Sequence, residues 1–135
     1  MYQLVAVDEA MMTRDVWLKN LETGTVDFCF DDSAVMDDKN NFDFMQIGEV
    51  YDCKIELFGE VVEKKNGESA ACQVLERNVR VGDILMVKLK VGEDIYYILE
   101  KELKGYGAIK VFEYDYSRKD LIQVNQVVHK DFLDN

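Results

Sequence analysis

Apolar residues in this chain recur at every second position between turn signals, and nowhere do they hold a 3.6-residue period over three helical turns. Successive side chains of a strand point to opposite faces of a sheet, so the pattern predicts half-buried strands and little helix. Val16, Leu18 and Leu21 precede the turn Glu22-Thr23-Gly24-Thr25, after which Val26, Phe28 and Phe30 alternate with Asp27 and Cys29. This predicts a β-hairpin with one apolar face, made on its second strand by Val26, Phe28 and Phe30, with residues 2–7 as a partner strand. From 31 to 43 both periods fail among five Asp and two Asn, which predicts a polar loop with no more than one helical turn.

A second run of strands follows. In residues 49–58, Tyr51, Cys53, Ile55 and Leu57 alternate with Val50, Asp52, Lys54, Glu56 and Phe58, one set for the core and the other for water. Lys64-Lys65-Asn66-Gly67 is a hairpin signal, with residues 68–76 as the returning strand. Val81-Gly82-Asp83 opens a strand over 84–91, and Gly92-Glu93-Asp94 turns into another over 95–100. Residues 100–104 read as a short charged helix stopped by Gly105 and Gly107. Residues 109–116 form a further strand, and 121–132 fits a strand better than a helix. Strands at 8–12-residue spacing, with no amphipathic helix between them, mean an antiparallel barrel or sandwich. At 135 residues, 48% of them hydrophobic, the chain is the size of one domain with material for a core. The expected fold is all-β: an OB-like barrel over 46–135 and an N-terminal β-hairpin region with the acidic loop over 1–45.

The stretch Gly48-Glu-Val-Tyr-Asp-Cys-Lys-Ile-Glu-Leu-Phe58-Gly59, followed by Val81-Gly82-Asp83-Ile-Leu-Met-Val-Lys88, resembles OB-fold domains of the RNA-binding kind over residues 47–100. The resemblance implies a small β-barrel, in which Gly59 lets a long strand coil and Val-Gly-Asp launches a later one. It also brings in single-stranded nucleic acid as a partner class. The segment 60–80 is shorter than in that family, and the surface is not basic.

Charge bears on that partner directly. The net charge is −11, and it is uneven: residues 1–62 hold 4 Lys+Arg against 14 Asp+Glu, a balance of −10, and residues 63–135 hold 12 against 13, a balance of −1. A field of this sign repels phosphates and anionic membranes, so nucleic acid would have to sit on the C-terminal half. No apolar run approaches the roughly 18 residues of a membrane span, and no signal peptide is evident. Cys29, Cys53 and Cys72 lie 24 and 19 residues apart, an odd number without a close pair, which reads as buried free thiols in a reducing cytoplasm.

Catalytic and metal motifs find little support. The loop aspartates Asp31, Asp32, Asp37, Asp38 and Asp43 lack the glycine of an EF-hand, and a zinc site would need Cys29, Cys53, Cys72 and the lone His129 without any short-spaced couple. None of Ser33, Ser69 and Ser117 lies in a nucleophile elbow. Gly105-Tyr-Gly107 is a turn, so no cofactor is expected. Binding candidates are aromatic. Phe58 lies in line with Lys54 on the expected outer face of its strand, and Phe112, Tyr114 and Tyr116 share a face that is either a core stripe or a stacking platform. The expected function is a non-enzymatic binding module for a protein partner, met through an exposed aromatic or the acidic N-terminal face. The alternatives are a single-stranded nucleic-acid binder using Phe58 and the C-terminal cations, and, least supported, an enzyme.

Overall fold

The computed structural model describes residues 1–35, 39–64 and 67–133. Asp37 and Asp38 of the acidic loop, and Lys65 and Asn66 of the expected hairpin turn, lie outside the described residues. The strands are β1 (Tyr2–Glu9), β2 (Arg14–Asn20), β3 (Val26–Asp31), β4 (Val50–Tyr51), β5 (Cys53–Val62), β6 (Ala70–Val81), β7 (Ile84–Val91), β8 (Asp94–Leu99), β9 (Val111–Val124) and β10 (Val127–Val128). Two single 3-10 turns, Glu100–Leu103 and Lys130–Phe132, are the helical elements among the described residues. With 59% of residues in strands against 5% in helix, the fold is all-β, as the alternation predicts.

Five strands close a barrel in the order β5-β9-β6-β7-β8 and back to β5. Four of its ladders are antiparallel, and the seam between β5 and β8 is parallel, with Glu56 opposite Tyr97. The antiparallel sheet β4-β1-β2-β3 continues from the barrel through one parallel bridge, Phe30 to Asp120. One buried cluster runs through both parts, joining Leu4, Val16 and Leu18 to Ile55, Leu57, Tyr114 and Leu121. No helix among the described residues is long and apolar enough to cross a membrane.

Three expectations change. β6 does not return along β5, because β9 lies between them and pairs with both. The Asn-Gly signal is a local turn preference, and it does not decide which strand fills the neighbouring lane. Second, Arg118-Lys119-Asp120 does not interrupt a strand, for β9 runs 14 residues straight through it. Third, the loop after β3 is not merely polar. Phe42 and Met45 are core residues, and Asp31 is buried, accepting a hydrogen bond from Arg14 Nε at 2.7 Å.

Gly59 is required by close contact with β9. A Cβ there would stand 2.0 Å from the Asp115 carbonyl oxygen and 2.5 Å from Tyr116 Cα, where β9 crosses a register shift in β5.

Candidate functional site

The hairpin β2-β3 forms as its turn predicts, with Trp17 opposite Phe28. Its apolar face, however, points the other way. Asp27 and Cys29 are buried, at 1% and 0% exposed, while Phe28 is 52% exposed and Val26 50%. A period of two says which residues share a face and leaves open which face meets the core. The choice here is set by partners far away in sequence. Asp27 accepts hydrogen bonds from the Tyr96 hydroxyl at 2.8 Å and from Lys119 Nζ at 2.5 Å. The β2-β3 turn is fastened as well, since the Thr23 and Thr25 hydroxyls donate to the Asp94 carboxylate at 2.6 and 2.8 Å.

The inverted strand creates an aromatic ridge on the outer surface. Trp17 and Phe28 meet edge to face with ring centroids 4.7 Å apart. Phe30 follows two residues along β3, and the Arg118 guanidinium stands over its ring at 5.3 Å and over the Phe58 ring at 4.5 Å. Both distances are within cation–π range. Arg118 is held in place by a two-pronged pair with Asp120, Nε to Oδ1 at 2.6 Å and Nη2 to Oδ2 at 3.1 Å. The ridge therefore crosses β2, β3, β9 and β5 with a cation paired to Asp120 near its end.

Beyond Phe58 the surface falls into a cleft of about 880 Å³, within the range of ligand pockets. Its wall is mostly apolar, with Ile84, Leu85, Leu99, Leu121, Ile122 and Phe132. Arg77 on its rim is bound to Glu100, and Lys101 and Lys104 are exposed. Glu56 lines the same cleft but is only 8% exposed, against the expectation that it faces water with Lys54 and Phe58. The reason is its strand's position between β9 and β8, where the Glu100–Leu103 turn also packs on β5. Burial, with Asp120 and Glu102 adding repulsion, pushes its carboxyl up to about 7.

Asp32, His129 and Asp131 bring one potential metal-ligating atom each within 4.8 Å of one another. The Asp131 backbone N–H donates to His129 Nδ1 at 3.0 Å, so Nε2 carries the ring proton and donates to Asp32 Oδ1 at 2.6 Å. An ion would have to break that bond. The ring, edge-on to Phe42 and Phe132 at 6.3 Å each, pins the C-terminal segment against the loop after β3.

Of the residues singled out from sequence, Phe58 opens onto the ridge and cleft. Lys54, on β5 like Phe58, is half-buried opposite Gln123 of β9 and lies outside the cleft lining. Phe112 is buried at the wall of a second hollow of about 630 Å³. Tyr114 is fully buried, its hydroxyl donating to Glu102 at 2.7 Å, and half-buried Tyr116 lies 5.7 Å from Lys119 Nζ. Sequence reasoning put Phe28 and Phe30 on the core face, gave Trp17 no role, and counted Arg118 only among the C-terminal cations. For Phe28 and Phe30 the signal was present in the alternation, with the wrong side assigned to the core. The three cysteines are buried and free; burial pushes Cys53 and Cys72 up to about 12 and raises Cys29 well above its ordinary value. No protein-family model, curated protein or solved structure matches the chain.

Proposed function

We propose that this chain is a non-enzymatic binding module that docks a protein partner on the aromatic ridge and the cleft beside it. The carrying observation is β3, a strand that buries two carboxylates and offers Val26 and Phe28 to the surface. Aromatic residues and arginine dominate the energy of protein interfaces, and contiguous exposed apolar surface marks interaction sites. Charge favours a polypeptide over a phosphate chain. The net charge is −11, and the cation nearest the ridge, Arg118, is bound to Asp120. The five-stranded barrel with its mixed ladders supports the OB-like reading, in which binding is the usual work of the scaffold. Buried thiols support a reducing compartment, the cytoplasm.

Single-stranded nucleic acid is the second reading, favoured by the Arg118 guanidinium between two rings with exposed Lys101 and Lys104 close by. Photo-crosslinking separates the two. With benzoylphenylalanine at Phe28 or Phe58, irradiation in native lysate should give a discrete protein adduct that is absent when the probe replaces exposed Leu75. A nuclease-sensitive adduct would favour nucleic acid. Equal labelling at all three positions would contradict the docking reading.

A further inference from the structure

The cleft holds a carboxyl group that the fold leaves without a partner. Glu56 is 8% exposed, lines the cleft, and among the described residues makes no hydrogen bond or ion pair. The residue is buried but its carboxyl opens on the cleft, so it carries part of a desolvation cost that a ligand can relieve. The groups facing it are specific. β9 presents Asp120 and Arg118, the Glu100–Leu103 turn presents Glu102 and Lys101, and β8 presents Tyr97 at the paired position. Arg118 is committed to Asp120 through both prongs, and Glu102 accepts from Tyr114. Of the charges around Glu56, Arg118 and Asp120 thus pair with each other, Glu102 is held by the Tyr114 hydroxyl, and Lys101 is exposed at the cleft.

The shape of the vacancy selects the cation. A guanidinium needs a two-pronged acceptor and favours a flat aromatic face, and here the Asp120 carboxylate and the Phe58 face are both taken by Arg118. What is left is the Glu56 carboxyl on a cleft it shares with the apolar side chains of Ile84, Leu85 and Leu99, which suits a point charge on a flexible hydrocarbon stem. We propose that the cleft takes a lysine side chain of the partner, its ammonium on the Glu56 carboxylate and its stem along Ile84, Leu85 and Leu99. This rests on the docking reading above. The high proton affinity of Glu56 adds a signature: the ammonium must meet the ionised form, so binding strengthens as the pH rises from 5.5 to 8.

The test uses the whole protein and two peptides, acetyl-Leu-Lys-Leu-amide and its norleucine counterpart acetyl-Leu-Nle-Leu-amide, titrated by NMR with ¹³C-carboxyl-labelled glutamate. The lysine peptide should bind about ten-fold tighter at pH 8 and shift the Glu56 carboxyl. Glu56→Gln, which keeps the shape and the fold, should remove that preference while leaving norleucine binding intact. Equal affinities for the two peptides, or a preference that survives Glu56→Gln, would overturn the proposal. The two readings fail separately. A crosslinked partner lost in Phe28→Ser but indifferent to Glu56→Gln would overturn the lysine site alone; a Glu56-dependent lysine preference without any adduct at Phe28 or Phe58 would support the lysine site and overturn the docking reading alone.

Discussion

Lys119 on β9 places its ammonium 2.5 Å from the Asp27 carboxylate on β3, and the two residues are 92 positions apart. This pair, of buried Asp27 and half-buried Lys119, is what lets β3 turn its polar residues inward. Removing one member leaves an uncompensated charge in the interior, so Lys119→Met should destabilise the fold by about 3–5 kcal/mol. The double variant Asp27→Leu/Lys119→Met should recover much of that loss. Urea denaturation midpoints of the three proteins measure both effects, and a double variant no better than the single one would contradict the assignment.

Glu56 makes stability depend on pH in a definite direction. Its carboxyl holds a proton more tightly in the folded protein, near 7 against an ordinary 4.5, so its contribution is full below about 4.5 and is lost as the pH rises through 7. Glu56→Gln keeps the neutral shape at every pH. It should match the wild type near pH 4.5 and exceed it at pH 8 by roughly 2–3 kcal/mol. Melting curves across that range check the sign; a wild type that gains on the variant with rising pH would contradict it.

The ridge should be cheap to alter in the free protein. Phe28 and Phe58 are each 52% exposed, so Phe28→Ser and Phe58→Ala should each cost under about 1 kcal/mol, the part lost with the Trp17 or Arg118 contact included. Thermal unfolding measures this. A loss of several kcal/mol in either would show that the ring belongs to the core.

Gly59→Ala should behave in the opposite way. Its Cβ meets backbone of β9 at 2.0 Å, which neither strand can relieve without breaking the longest ladder of the barrel. A loss of about 3 kcal/mol or more is expected, with an alanine-tolerant site as the contrary result.

These outcomes also mark what was legible in the chain before its fold. Alternation located most strands, the Gly24 and Gly92 turns located two hairpins, and Phe58 was placed correctly at the surface. The side taken by β3 was not legible, because apolar alternation is symmetric under a one-residue shift and the deciding groups, Tyr96 and Lys119, lie beyond any local window. The same holds for β9. Arg118-Lys119-Asp120 looks like a loop until Phe58 and Asp27 are brought beside it. Glu56 looked like a water-facing residue for the same reason, since only the closed barrel and the Glu100–Leu103 turn cover it.

The outward face of β3 is the premise of the ridge, and thiol labelling tests it most directly. Wild-type Cys29, Cys53 and Cys72 are buried and protonated, so native protein should resist a maleimide. Phe28→Cys should then take one maleimide rapidly without denaturant, at position 28 by peptide mapping, with Cys29 beside it unmodified. Rapid labelling of Cys29 in the native wild type, with a protected thiol at position 28, would mean that β3 buries its aromatic residues and that there is no ridge.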